Sequence, residues 1–273
     1  MRYLLKILRG CQPNMRVISS ILFFFAENIR EVNLIIEQGN TSSKVAVYDG
    51  GRQIASFTHK QLGVSDVSAL FEQYSFTYGI LSSVIDTDDE LLAFLESKLQ
   101  RFVFLDEQVP LPITIQYETP RTLGKDRLAA VVGANYLQPG KDLLVIDAGT
   151  AITYEIIEAS GTFIGGNISP GMTTRFRALN FFTKKLPLVT EQDETCRIGT
   201  STETAIQAGV VNGIVYEMDG YIDEYRLKYP NLLVFLTGGH SFYFERRLKN
   251  SIFADINLVL TGLNRILEYN VEN

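Results

Sequence analysis

The chain is short of the residues that staple or metallate small folds. Its 273 residues include two cysteines, Cys11 and Cys196, far apart and outside any CxxC pair. That excludes a disulfide framework and a cysteine zinc site, and leaves two thiols suited to a reducing cytoplasm. The two histidines, His59 and His240, are isolated. A Ser-His-Asp triad or a histidine metal cluster therefore has little to draw on. Positive charge is scarce as well: 25 Lys and Arg stand against 31 Asp and Glu, for a formal net charge of −6. An acidic chain lacks the broad basic footprint expected for nucleic acid or an anionic membrane, although local basic pockets for a phosphorylated ligand remain compatible with it.

Long apolar runs are missing too. Residues 17–26 form a short one, preceded by Arg2, Lys6, Arg9 and Arg16. It is far below the about 20 residues a membrane-spanning helix needs. The basic start resembles a secretory signal, but Phe24, two residues before Ala26, stands where cleavage after Ala26 calls for a small residue, so that signal is poor. No low-complexity linker is visible.

What is present is ordinary core material: 46% hydrophobic residues, with 17 Phe and 13 Tyr. The length suits two modest domains or one large one. Residues 32–38, 44–48 and 53–58 are apolar runs of strand length, and Asp49-Gly50 between the last two is a hairpin signal. They predict an antiparallel meander. A helix over 67–74, a strand over 78–84, a helix over 88–99 and a short strand over 102–105 follow. The pattern then restarts with strands at 143–146, 152–157 and 162–164, a helix over 200–227, a strand at 232–236 and a last helix at 260–269. Two similar mixed α/β halves follow from this, with a boundary near Gly140 after a helix that ends around residues 135–137.

Each half opens with a strand, an acidic residue, a glycine and a threonine. The first such turn is Glu37-Gln38-Gly39-Asn40-Thr41-Ser42-Ser43-Lys44. Glycine lets backbone N–H groups approach a phosphate, the hydroxyls of Thr41, Ser42 and Ser43 add donors, and Lys44 neutralises charge. An acidic strand end holds a hydrated Mg²⁺. The second turn is Asp147-Ala148-Gly149-Thr150-Ala151. Either turn alone reads equally well as a polar hairpin. Together they read as facing phosphate hairpins with a nucleotide cleft between them, as in actin, hexokinase and sugar kinase ATPases.

Thr237-Gly238-Gly239, between a strand and a helix, suits close approach of an adenosine; a plain loop is the alternative. Gly165 to Gly171 reads as a glycine-rich turn before a helix, either shaping the cleft or purely structural. In Gly124-Lys125-Asp126-Arg127, Asp126 is the right residue type to accept a hydroxyl proton in phosphoryl transfer. It is equally the right type to cap a helix starting there.

This set of motifs resembles the type III pantothenate kinase family, over residues 32 to about 263. The resemblance implies two RNase H-like subdomains of the actin and hexokinase type, at 32–140 and 141–273, with ATP in the cleft between them. It implies phosphorylation of pantothenate in the first step of coenzyme A synthesis, in a cytoplasmic homodimer with its active site near the interface. ATP, Mg²⁺ and a monovalent cation, K⁺ or NH₄⁺, come with it. By resemblance Asp126 is the proton acceptor. Tyr117, Gly124, Lys125, Arg127 and Thr202 contact the substrate, Thr202 across the dimer. Glu37 through Lys44, Thr150, Gly238 and Gly239 bind the nucleotide, and Asp147 with Glu37 binds metal.

One position departs from the family: Glu37 stands where it usually has Asp. The charge is kept on a side chain one methylene longer, which implies retained but slower catalysis. A kinase for another hydroxylated metabolite and a non-catalytic accessory homologue are the rival readings. Family members begin almost at the first strand, so a valine start at Val32 would place residues 1–31 outside the native protein. Mass spectrometry of the native N-terminus tests that, and a chain beginning at Met1 overturns it.

Overall fold

The computed structural model describes residues 31–272; the expectations for the basic, apolar start lie outside them. The meander forms as expected from β1 (Glu31–Gln38), β2 (Ser43–Asp49) and β3 (Arg52–His59). Helix α1 (Val64–Phe71) leads to β4 (Ser75–Ser83), and α2 (Asp89–Lys98) to β5 (Arg101–Phe104). Asp88 caps α2, its Oδ1 accepting from the Glu90 amide at 2.9 Å, which satisfies a donor left free at the helix start.

Helix α3 (Lys125–Leu137) leads into the second set of strands, β7 (Leu143–Ala148), β8 (Ala151–Ile157) and β9 (Thr162–Pro170). Then come α4 (Met172–Phe182), α5 (Thr202–Lys228), β10 (Leu233–Thr237), α6 (Ser241–Glu245), β11 (Phe253–Ala254) and α7 (Leu258–Glu272). A two-residue strand, β6 (Thr114–Ile115), precedes α3.

The two sheets repeat one another. The first has the order β3-β2-β1-β4-β5 and the second β9-β8-β7-β10-β11, with β6 added at the β9 edge. In each, the first three strands are antiparallel, and the first strand runs parallel to the fourth and the fourth to the fifth. This duplicated mixed α/β arrangement is the RNase H-like fold of actin-type ATPases and sugar kinases.

Alternation along the strands sets five layers. Leu34 and Ile36 of β1 pack outward with Leu91 and Leu95 of α2, while Ile35 packs inward. In the same way Leu144 and Ile146 of β7 face α5, and Leu143 and Val145 face inward. Both faces of these strands are covered, so each reads as a continuous apolar run rather than as an alternating one.

The inner layer is α3 and α7, which fill the space between the sheets. They meet backbone to backbone. A Cβ on Gly262 would collide with the Ala129 carbonyl, and one on Gly133 with that of Leu258. Asn264 ties α7 to the first sheet: its Oδ1 accepts from Asn33 at 2.9 Å, and its Nδ2 donates to the Gly50 carbonyl at 3.0 Å.

The stretch 165–171 differs from its expectation. Residues 165–170 continue β9, because Tyr154 and Glu155 of β8 pair with Asn167 and Gly166. The glycines there serve close approach within a sheet instead of a turn.

Replacing Gly262 with Ala puts a methyl where no space exists. It should cost about 1–3 kcal/mol, the usual range for an overpacked core. Denaturant unfolding measures this, and an unchanged midpoint would show that the two helices do not touch there.

Candidate active site

Three carboxylates gather where the inner layer meets the ends of the two central strands. Glu37 and Asp147 are the penultimate residues of β1 and β7, each two residues beyond an inward-facing apolar side chain, Ile35 or Val145. Asp126 sits in the first turn of α3. An acidic residue there is favoured by the positive end of the helix dipole. The N-cap is Gly124, not Asp126. Asp126 Oδ1 accepts from the Arg127 amide at 2.8 Å. A Cβ on Gly124 would stand 2.6 Å from that same oxygen, so glycine leaves the carboxylate its place.

Crowding of negative charge shows in the titration. Burial pushes the Asp147 carboxyl up to about 7, and the charges of Asp126 and Glu37 push the same way, while Lys44 opposes them. Asp147 keeps some surface open to the cleft, but its carboxyl lies deep among protein atoms. Glu37 is also raised, by burial first; Lys44 lowers it and Asp126 raises it. Lys44 Nζ lies 3.9 Å from Glu37 Oε2.

The Asp147 turn is held tightly. The Gly149 amide donates to the Ala151 carbonyl at 3.0 Å, and the Thr150 carbonyl accepts from the Thr174 hydroxyl at 2.7 Å and the Gly171 amide at 3.0 Å. Gly238, at φ 90°, packs against Asp147 and Ala148 so closely that a Cβ would meet the Asp147 carboxylate. Gly239 faces open space. Thr150 is exposed.

Two neighbours of Asp147 were not singled out by the sequence reading for this role. Thr153 and Thr237 pair with it in register on either side. Their hydroxyls are buried and have no hydrogen-bond partner among the described residues. A carboxylate under charge repulsion beside two orphaned hydroxyls is an oxygen-rich set that fits a hard cation. Among the described residues no three His, Cys, Asp or Glu side chains form a closed metal cage.

In the first turn the Gly39 amide donates to the Ser42 carbonyl at 3.0 Å. Asn40 and Thr41 are exposed and Ser42 partly so, while Gln38 and Ser43 are buried. Gln38 Oε1 accepts from the Thr87 hydroxyl at 3.0 Å, so its side chain faces the fold.

A second cluster lies beyond Asp126. Arg127 is buried and grips Glu155 with two bonds, Nε to Oε1 at 2.5 Å and Nη2 to Oε2 at 2.8 Å. Burial would lower the Arg127 pKa, but the bonds and charge of Glu155 outweigh this and raise it. The guanidinium lies 5.6 Å from the Tyr117 ring centre, and that ring stacks on Phe163 at 6.0 Å. Tyr117 also lies on Gly165. Glu155 is absent from the sequence reading; its signal was one acid inside the apolar strand Ala151–Ile157.

Two expected residues stand apart from these clusters. Lys125 turns its ammonium to the Phe104 ring at 4.9 Å and lines a cavity of about 340 Å³ with Arg121 and Leu111. Thr202 opens α5 on an apolar groove between α4 and α5, beside Phe182, Leu186 and Ile206.

The family profile for type III pantothenate kinase matches residues 33–224. The chain belongs to that family. A type III pantothenate kinase from Phocaeicola vulgatus is 50% identical over 239 residues, covering 88% of this chain and 99% of that one. One from Porphyromonas gingivalis is 46% identical over 243 residues, covering 88% and 99%. Among solved structures, a candidate Baf-family transcriptional activator from Campylobacter jejuni matches with a TM-score of 0.57 at 22% identity, over 88% of this chain and 100% of that one. A candidate N-acetylmannosamine kinase from Listeria monocytogenes matches at 0.53 and 12%, over 89% and 100%. At those identities the two structures speak for the fold. Membership of a kinase family implies use of ATP with a divalent metal.

The Asp147 titration has a consequence for stability. A carboxyl raised from 3.8 to about 7 binds its proton more tightly in the folded state than in the unfolded chain. The stabilisation is fully present below the unfolded value and is lost as pH rises through the folded one. Cation-free protein should therefore lose stability between pH 5 and pH 7, and Asp147→Asn should flatten that step. Denaturant midpoints at the two pH values check this; an equal fall in both proteins overturns the assignment.

Proposed function

We propose that the chain transfers the γ-phosphoryl group of ATP to the primary hydroxyl of pantothenate, giving 4'-phosphopantothenate and ADP, the first step of coenzyme A synthesis. The observation that carries this reading is the position of Asp126, between the acidic strand ends and the Arg127–Tyr117 cluster. ATP lies between the two halves, its phosphates at the turns Glu37–Lys44 and Asp147–Thr150 and its adenosine along Gly238 and Gly239. Pantothenate lies on the side of Tyr117, Gly124, Lys125 and Arg127. The pantothenate hydroxyl oxygen attacks the γ-phosphorus, the bond to the ADP oxygen breaks, and Asp126 accepts the hydroxyl proton.

Asp147 and Glu37 would hold the cations, Mg²⁺ and a monovalent K⁺ or NH₄⁺, which offset charge on the transferring phosphoryl group. Thr153 and Thr237 fit as further oxygen ligands beside Asp147. A homodimer is supported by the groove that Thr202 shares with Phe182, and by Phe181 and Phe182 at the end of α4, each 81% exposed. Thr202 would reach the partner's substrate. A cytoplasmic location suits an enzyme using ATP, and no helix among the described residues is long and apolar enough to cross a membrane.

A coupled ADP-release assay with pantothenate, ATP, Mg²⁺ and K⁺ tests the reading. Activity is expected, and Asp126→Asn should lower kcat by about 10²–10⁴-fold, the range of a lost general base. No pantothenate-dependent ADP release from folded protein would favour the non-catalytic rival, and turnover of another hydroxylated metabolite in its place would favour the other.

Glu37 supplies a separate measurement. Shortening it to Asp should raise turnover and shift the Mg²⁺ concentration at half-maximal rate, because Mg²⁺ tolerates little departure from octahedral geometry. Identical turnover and Mg²⁺ dependence in Glu37→Asp would show that the extra methylene is without effect.

A further inference from the structure

Glu155 has no place in the phosphoryl-transfer scheme, yet the fold is arranged around it. It is fully buried on β8, and both carboxylate oxygens are engaged by Arg127. Gly166 on β9 leaves it room, since a Cβ there would collide with Glu155 Oε2 and the Tyr154 carbonyl. The neighbouring Gly165 adopts φ 130°, a backbone conformation that favours glycine, and the Tyr117 ring lies against it in ordinary contact. Tyr117 in turn packs between Phe163 and the Arg127 guanidinium. Two consecutive glycines in a strand weaken it, so their presence needs a local reason. Here each lies under one member of the same cluster.

Stability does not supply that reason. A buried ion pair roughly breaks even against well-packed apolar side chains, because desolvating two charges offsets their attraction. What a bidentate pair supplies is direction. It fixes the plane of the guanidinium, which a lysine or a single bond would not. Nε and Nη2 are committed to Glu155, and Nη1 is the nitrogen outside the pair. The pair is neutral overall, so its contribution to a ligand is an aimed hydrogen bond more than a general positive field.

We infer that Glu155 is a positioning residue for the acceptor pocket: it locks Arg127 against Tyr117 so that the two present one fixed face to the pantothenate. This rests on the proposed reading of Arg127 as a substrate contact. Because Asp126 precedes Arg127 at the start of α3, the same pair also anchors the turn that carries the proton acceptor to β8.

The test is steady-state kinetics of Glu155→Gln, Glu155→Asp, Arg127→Lys and the Glu155→Gln/Arg127→Lys double variant. Thermal unfolding accompanies them. Glu155→Gln should raise KM for pantothenate about tenfold or more, as expected for a lost bond to a charged group, with KM for ATP nearly unchanged. Glu155→Asp keeps the counter-charge, and so the fold, but withdraws the carboxylate by one methylene; it should raise the same KM by less. In the Arg127→Lys background Glu155→Gln should add little, because both changes break one unit. A purely structural Glu155 would lower the melting temperature and leave both KM values alone, or move them together; either result in the two Glu155 variants overturns the inference. Full additivity in the double variant overturns it too. If Arg127→Lys leaves KM for pantothenate unchanged, the substrate-contact reading of Arg127 fails. If Arg127→Lys raises it and neither Glu155 variant does, the contact reading stands and the positioning role of Glu155 fails.

Discussion

Everything in the site hangs on how closely two helix backbones approach. Helices α3 and α7 are the layer shared by both sheets, and Gly133 and Gly262 let them touch without side chains between. Asp126 is part of the first turn of α3, seven residues before Gly133 on the same rigid helix. Moving α3 outward by the width of a methyl group would carry Asp126 with it relative to both strand ends. Phosphoryl transfer is sensitive to such displacements, because its catalysis is chiefly placement and charge.

The second constraint is electrostatic. Three carboxylates share a cleft of low polarity, and only Lys44 is close enough to Glu37 to offset part of their charge. Without cations the cluster relieves itself by holding a proton, as the raised Asp147 shows. With cations and a polyphosphate the same cluster is balanced. The Arg127–Glu155 pair is the opposite case, neutral before any ligand arrives. On the proposed reading the charged, ligand-demanding cluster faces the nucleotide and the pre-neutralised, oriented pair faces the acceptor.

Much of this was legible in the chain. The two hairpins were, because apolar runs bounded by Asp-Gly or Gly-Thr turns are local signals, and so was the duplication, because both halves repeat them. The five-layer stacking was not. That β4 lies beside β1, or that α7 returns from the C-terminus to pack on the first sheet, depends on parallel and long-range pairing that no local pattern encodes. The glycines of β9 were misread for a related reason. Gly165 and Gly166 look like a turn until Gly165 is seen to need φ 130° within the strand and Glu155 to occupy the space a Cβ on Gly166 would take. Asp126 could be picked out by its residue type and neighbours. Glu155 could not, since a single acid in an apolar strand gains meaning only from the arginine 28 residues earlier that meets it.

Because the halves are duplicates, their differences are informative. Glu37 and Asp147 occupy equivalent strand ends. Glu37 is flanked in register by Lys44 and Ser82, and Asp147 by Thr153 and Thr237. One acid therefore has a built-in cation, and the other has two hydroxyls that offer oxygen and no charge. A carboxylate paired with lysine has less need of a metal, whereas one between uncharged hydroxyls needs a cation from solution or a proton. The duplicated scaffold is thus unequal on one flank, where Lys44 answers to Thr153, and alike on the other, where Ser82 and Thr237 both carry hydroxyls, so Asp147 is the end where a bound ion changes the energetics most. The extra methylene of Glu37 belongs to the same division. The Glu37 carboxylate lies 3.9 Å from Lys44 Nζ and, on the proposed reading, must also reach the Mg²⁺, which is why the side chain's length bears on turnover.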